Sequence, residues 1–159
     1  MATILAVDDD PTARDLLVTV LGYAGHQLRE ATDGAEALTL AQAERPDLVI
    51  ADLMMPTMDG FEFVRRLREN SAFARTPVVF YTATYLESEA RTLARECGVS
   101  HIITKPAEPE QILQVVAFWE WLRLPWPRHR PKSFGRNTWA CCWRSWRRRP
   151  RRPCHGSMR

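Results

Sequence analysis

The sequence predicts an α/β domain over residues 1–118: a doubly wound parallel sheet of five strands with helices on both faces. Three observations predict it. Apolar runs of strand length alternate with segments of helical periodicity, five of each. The runs TILAV (3–7), PDLVIA (46–51) and TPVVFYTA (76–83) are nearly continuous, the pattern of parallel strands covered on both faces. The connections are short, and parallel strands joined through helices cross over with a right hand.

The elements follow in order. TILAV is the first strand and ends in Asp8, Asp9 and Asp10; from Pro11, a residue suited to a first helical turn, apolar residues at 16, 17, 20 and 21 mark the first helix. HQLREA (26–31) is a weaker second strand. Asp33 and Gly34 open a second helix that carries Ala37, Leu38 and Ala41 along one side. PDLVIA is the third strand, and after a Met-Pro loop Phe61, Val64 and Leu67 place an apolar stripe on the third helix. TPVVFYTA is the fourth strand. EARTLAREC (89–97) is the fourth helix, with Ala90, Leu93, Ala94 and Cys97 on one face, and Gly98 ends it in the left-handed position. HIIT (101–104) is the fifth strand, Lys105-Pro106 follows, and EPEQILQVVAFW (108–119) is the fifth helix, closing the domain near Phe118.

The overall charge of +3 averages two unlike segments. Residues 1–118 carry a balance of −8, whereas residues 119–159 carry +11, together with all six tryptophans and three of the four cysteines. There is no run of 18 or more apolar residues, and the N-terminus lacks the basic and cleavage features of a signal peptide. The body is therefore expected to be cytoplasmic and not to engage a membrane, with Cys97 a reduced, buried thiol on a helix face.

In an open parallel sheet, chemistry gathers outside the carboxyl ends of the strands. Asp8, Asp9 and Asp10 emerge there after the first strand, Asp52 after the third, Thr82 after the fourth and Lys105 after the fifth. Clustered carboxylates repel, and a hard divalent cation offsets them; Mg²⁺ takes one or two carboxylates and leaves positions open to water and phosphate oxygens. Asp8 or Asp9 together with Asp52 meets that need. A lysine and a threonine hydroxyl beside them suit the oxygens of a phosphoryl group in transfer, and Asp52 is then the nucleophile.

Four segments in this order, ILAVDDDPTAR, DLVIADLMMPTMDGFEF, VVFYTA and ITKP, resemble the receiver domain of bacterial two-component response regulators across nearly all of residues 3–118. The resemblance implies a flavodoxin-like fold with strand order 2-1-3-4-5. It implies Asp52 as phosphoacceptor, Thr82 as switch hydroxyl and Lys105 as the lysine that pairs with the phosphoryl group, with a cis Lys105-Pro106 bond. It makes Asp8, Asp9, Asp52 and the Met54 backbone carbonyl the Mg²⁺ site, with Asp9 the direct ligand of the acidic pair and Asp8 acting largely through water. Pro56 and Gly60 shape the loop that holds the Met54 carbonyl inward. The implied partner is a sensor histidine kinase or histidine phosphotransfer domain, and the helix 4 face is where a weak homodimer forms. Receivers usually carry Tyr or Phe three residues before the lysine; here Ile102 stands there, after an exposed His101, so this chain departs from the usual aromatic readout.

Other readings compete. The acidic triplet alone suits a helix start. An aspartate-nucleophile phosphatase places a second acid two residues after the nucleophile, where this chain has Met54, so the chain is read as a signalling module that catalyses only its own phosphorylation and slow dephosphorylation. A degenerate receiver would bind partners without phosphorylation.

The tail from Trp119 has few aliphatic residues, five prolines and a terminal arginine cluster, and its cysteines lack paired zinc-ligand spacing. Taken as genuine, it is a disordered basic segment suited to nucleic acid, a partner unsuited to the acidic body. Shifting the reading frame turns its Trp and Cys codons into Leu, Met or Val codons and yields an amphipathic helix pattern. On this second reading a frameshift lies near Ala117 or Phe118 and the residues beyond are an out-of-frame translation; residues 84–116 further resemble receivers attached to larger sensor or hybrid histidine kinases.

Overall fold

A computed structural model describes residues 1–83, 92, 94–99 and 101–123. Five strands, β1 (Thr3–Val7), β2 (Gln27–Ala31), β3 (Leu48–Ala51), β4 (Val78–Thr82) and β5 (His101–Thr104), form one parallel sheet in the order β2-β1-β3-β4-β5. Helices α1 (Pro11–Tyr23), α2 (Gly34–Glu44) and α3 (Gly60–Glu69) and a C-terminal helix (Pro109–Arg123) connect or flank them. The expected fold class and strand order are both observed. Residues 89–91 and 93 of the fourth helix expected over 89–97 lie outside the described residues; Thr92 and residues 94–96 are helical, and Gly98 has φ 68°, the left-handed conformation expected of it.

Alternation along the strands explains the continuous apolar runs. Leu5 and Val7, Val49 and Ala51, and Val78 and Phe80 face one way and pack with Ala37, Phe63, Val64 and Leu67 of α2 and α3. Ile4 and Ala6, Leu48 and Ile50, and Val79 and Tyr81 face the other way and pack with Leu17 and Leu21 of α1 and with Ile112 and Val116 of the C-terminal helix. Both faces of the central strands are thus buried, and only their ends are left for polar chemistry.

Capping fixes where each helix leaves the sheet. Asp10 accepts from Thr12 N at 2.9 Å with Pro11 in the first turn, and Asp33 accepts from Ala35 N and Glu36 N at 2.8 and 2.9 Å while Glu36 reaches back to Thr32 N. Asp59 caps α3 through Glu62 N at 2.8 Å. The C-terminal helix does not stop at Trp119, the end of the segment expected to form it. It continues to Arg123, with Trp119 packed on the α1 side and Glu120 paired to the N-terminal ammonium at 3.3 Å. The compact unit comprises Met1–Leu124; residues 125–159 form a second unit. All of that second unit, and with it the readings made for the tail beyond Arg123, lies outside the described residues.

Candidate functional site

Asp52 follows β3 directly. Its backbone N–H still donates to Val7 O at 2.8 Å, so the ladder to β1 fixes it before the loop begins. The residue is 7% exposed; Oδ1 accepts from Leu53 N at 2.6 Å and Met54 N at 3.3 Å, and Oδ2 accepts from Lys105 Nζ at 2.6 Å. Gly60 makes this position possible. A Cβ there would collide with the Asp52 carbonyl and lie 3.0 Å from Leu53 Cα, so α3 starts against the backbone of the site only because residue 60 has no side chain. Thr57, at φ 66°, supplies the left-handed residue of the intervening loop.

The three aspartates after β1 have separate positions. Asp8 is fully buried; its N–H donates to Ala31 O at 3.1 Å, its Oδ1 accepts from Asp10 N at 3.0 Å, and its Oδ2 lies 2.6 Å from Lys105 Nζ. Arg14 of α1 donates to the Asp8 carbonyl at 2.7 Å. Asp9 is exposed, and one carboxylate oxygen from each of Asp8, Asp9 and Asp52 can be chosen so that all three lie within 4.8 Å of one another. Asp10 turns away to cap α1. Helix capping thus accounts for Asp10, but not for Asp8 or Asp9.

Burial pushes the Asp8 carboxyl above its usual range, with Lys105 pulling the other way. Burial also opposes the charge on Lys105, but the carboxylates of Asp52 and Asp8 outweigh it and raise the ammonium above its ordinary value. One cation is therefore shared between two buried anions. Thr82, 2% exposed, ends β4 and is tied to the lysine through the backbone, since Lys105 N donates to Thr82 O at 2.9 Å. The Lys105-Pro106 bond is cis, as expected. Met54 sits in the loop, 68% exposed as a residue. Asp8, Asp9, Asp52 and Lys105 converge, with Thr82 and Met54 bonded through backbone groups to members of that cluster.

The family described as response regulator receiver domain matches residues 4–117. The chain belongs to that family. Among its relatives, PilH of Pseudomonas aeruginosa is 34% identical over 116 residues, covering 73% of this chain and 95% of PilH. Among solved structures, the chemotaxis response regulator CheY4 of Vibrio cholerae has a TM-score of 0.71 at 36% identity, covering 74% of this chain and 98% of CheY4. The signal receiver domain of a signal transduction histidine kinase from Syntrophus aciditrophicus has a TM-score of 0.72 at 28% identity, covering 84% of this chain and all of that one.

The donor set of this receiver fits a hard divalent cation. Three carboxylates offer oxygens at one point, and Asp8 Oδ2 has an ion-pair contact with Lys105 but no well-directed hydrogen bond. Ile102, opposite Phe80 on β5, is half-buried and packs with the α2 and α3 side of the core, while His101 is exposed. Cys97 is a free thiol, half-buried, and burial raises its pKa. Two contacts at the site went unread in the sequence. Arg14 is one, signalled only by its place one turn into the helix after the acidic triplet. The other is Tyr81, whose ring lies 5.2 Å from Lys105 Nζ; nothing in the sequence signals the course of the loop above it.

Proposed function

We propose that this receiver is a phosphoacceptor whose nucleophile is Asp52. A carboxylate oxygen attacks the phosphorus of a phosphohistidine on a sensor histidine kinase or histidine phosphotransfer domain. The P–N bond breaks, the imidazole keeps the electron pair, and an acyl phosphate forms; attack by water later returns the carboxylate and inorganic phosphate. Asp9, Asp52 and the Met54 carbonyl, with Asp8 acting through water, would hold Mg²⁺, which would supply charge neutralisation between the carboxylates and the incoming phosphoryl oxygens.

The residues of the chain do the rest. The Leu53 and Met54 amides orient Asp52 Oδ1, and Lys105 exchanges its bond to Asp52 for one to the phosphoryl group. Thr82 donates its hydroxyl to the same group and draws the end of β4 toward it. Phosphorylation so biases an existing two-state equilibrium of the β4–β5 side rather than creating a new fold. With Ile102 packed in the core, that bias is read through displacement of an aliphatic side chain instead of an aromatic one. The exchange takes place in the cytoplasm, and the same side of the molecule carries partner contacts or a weak homodimer.

The observation that carries this reading is the buried Asp52 carboxylate, 2.6 Å from Lys105 Nζ and grouped with Asp8 and Asp9. Incubation of the full chain with acetyl phosphate, followed by intact mass with and without Mg²⁺, tests it. Metal-dependent gain of one phosphoryl group is expected; no gain in a folded sample would leave a receiver that only binds partners.

A further inference from the structure

Tyr81 is 3% exposed and stands one residue before Thr82. It belongs to the core layer of α1 and the C-terminal helix, and this places its ring under the loop that follows β5. Lys105 Nζ lies 5.2 Å from the ring centroid, within the distance at which an ammonium is attracted by the π face. The backbone amide of Ala107 faces the phenol oxygen, so the ring meets the loop on both sides of Pro106.

We propose that Tyr81 is a positioning residue for Lys105, holding the ammonium at the cleft while the anions around it change. The inference rests on the phosphoacceptor reading. In the state described, Asp8 and Asp52 each lie 2.6 Å from Nζ. Phosphorylation alters both contacts, because Asp52 becomes an acyl phosphate and the acidic pair turns to a cation. The contact with the ring survives that exchange. A third carboxylate could also hold the lysine, but it would offset the charge that the phosphoryl group needs; an aromatic face attracts the ammonium and leaves its charge intact.

The test compares the full chain with Tyr81→Phe and Tyr81→Leu, each also combined with Lys105→Ala. Two quantities are read: the rate of labelling by acetyl phosphate with Mg²⁺, and the ring-current shift of the Lys105 methylene protons by NMR. Tyr81→Phe should keep the shift and a rate within about twofold, whereas Tyr81→Leu should abolish the shift and slow labelling about fivefold. In the Lys105→Ala background Tyr81→Leu should add nothing. Equal behaviour of the Phe and Leu variants, or an undiminished Leu effect without Lys105, would reduce Tyr81 to a core filler and overturn the proposal. If thermal melting shows Tyr81→Leu unfolded, Tyr81→Met takes its place as a side chain of similar volume without a π face. If the unsubstituted chain takes no label, the phosphoacceptor reading fails by itself, and the ring-current shift then decides whether Tyr81 holds Lys105: present, it supports the contact; absent, it removes it.

Discussion

The two ends of the sheet carry comparable charge in opposite arrangements. At the amino ends of the strands, Asp47 accepts from Thr3 N at 2.9 Å, and Glu120 lies 3.3 Å from the N-terminal ammonium and 3.6 Å from His26 Nδ1, with its side chain 32% exposed. At the carboxyl ends, Asp8 and Asp52 are buried and share one lysine. The first arrangement is partly solvated, with the N-terminal ammonium against Glu120 and burial holding His26 below its usual pKa; the second is buried, with one ammonium between two carboxylates. Exposed pairs contribute little to stability, while a buried cluster with one cation for two anions stands ready for another cation and then for an anionic ligand. The proposed chemistry sits at the end where one cation serves two buried carboxylates.

Substitutions at the two ends should therefore differ in kind and in size. Asp52→Asn should abolish labelling by acetyl phosphate while the protein stays folded by circular dichroism, because the amide is no nucleophile. Gly60→Ala should cost about 3 kcal/mol in chemical denaturation, since its Cβ meets rigid backbone at Asp52 and Leu53, and labelling should fall with it. Lys105→Ala should cost about 2 kcal/mol in metal-free buffer, less than a fully buried broken pair because Asp8 can take up a proton. Mg²⁺ should recover part of that loss, and labelling should slow without vanishing.

Asp10→Ala removes the cap of α1 and should cost about 1 kcal/mol, with the labelling rate unchanged within about twofold. At the far end, Glu120→Gln should shift stability by less than about 0.5 kcal/mol at neutral pH and leave labelling untouched. A large effect of Glu120→Gln on labelling would break the distinction between the two ends.

Much of this arrangement was legible in the sequence, for a definable reason. A parallel strand buried on both faces reads as a continuous apolar run, so the residue ending each run is placed at the sheet edge; Asp8, Asp52, Thr82 and Lys105 are all of that kind. The triplet after β1 was less legible. Its three aspartates are chemically identical in sequence, and only backbone direction separates the buried Asp8 from the exposed Asp9 and the cap at Asp10. The position of Lys105 between two carboxylates depends on the path of the loop through the cis Lys105-Pro106 bond, and the contact with Tyr81 depends on the same path. The extension of the last helix beyond Trp119 to Arg123 was missed because residues from 119 on were grouped with a tail of foreign composition. In the fold they continue helical contacts, Trp119 with the core and Glu120 with the N-terminal ammonium.

The central claim is that Asp52, and no other carboxylate of the acidic cluster, carries the phosphoryl group. The most direct test labels the full chain with acetyl phosphate and Mg²⁺, reduces the acyl phosphate with borohydride, and maps the product by peptide mass spectrometry. Homoserine at position 52 alone is the predicted result. Homoserine at position 8 or 9 instead, or at several positions in comparable amounts, would contradict the account.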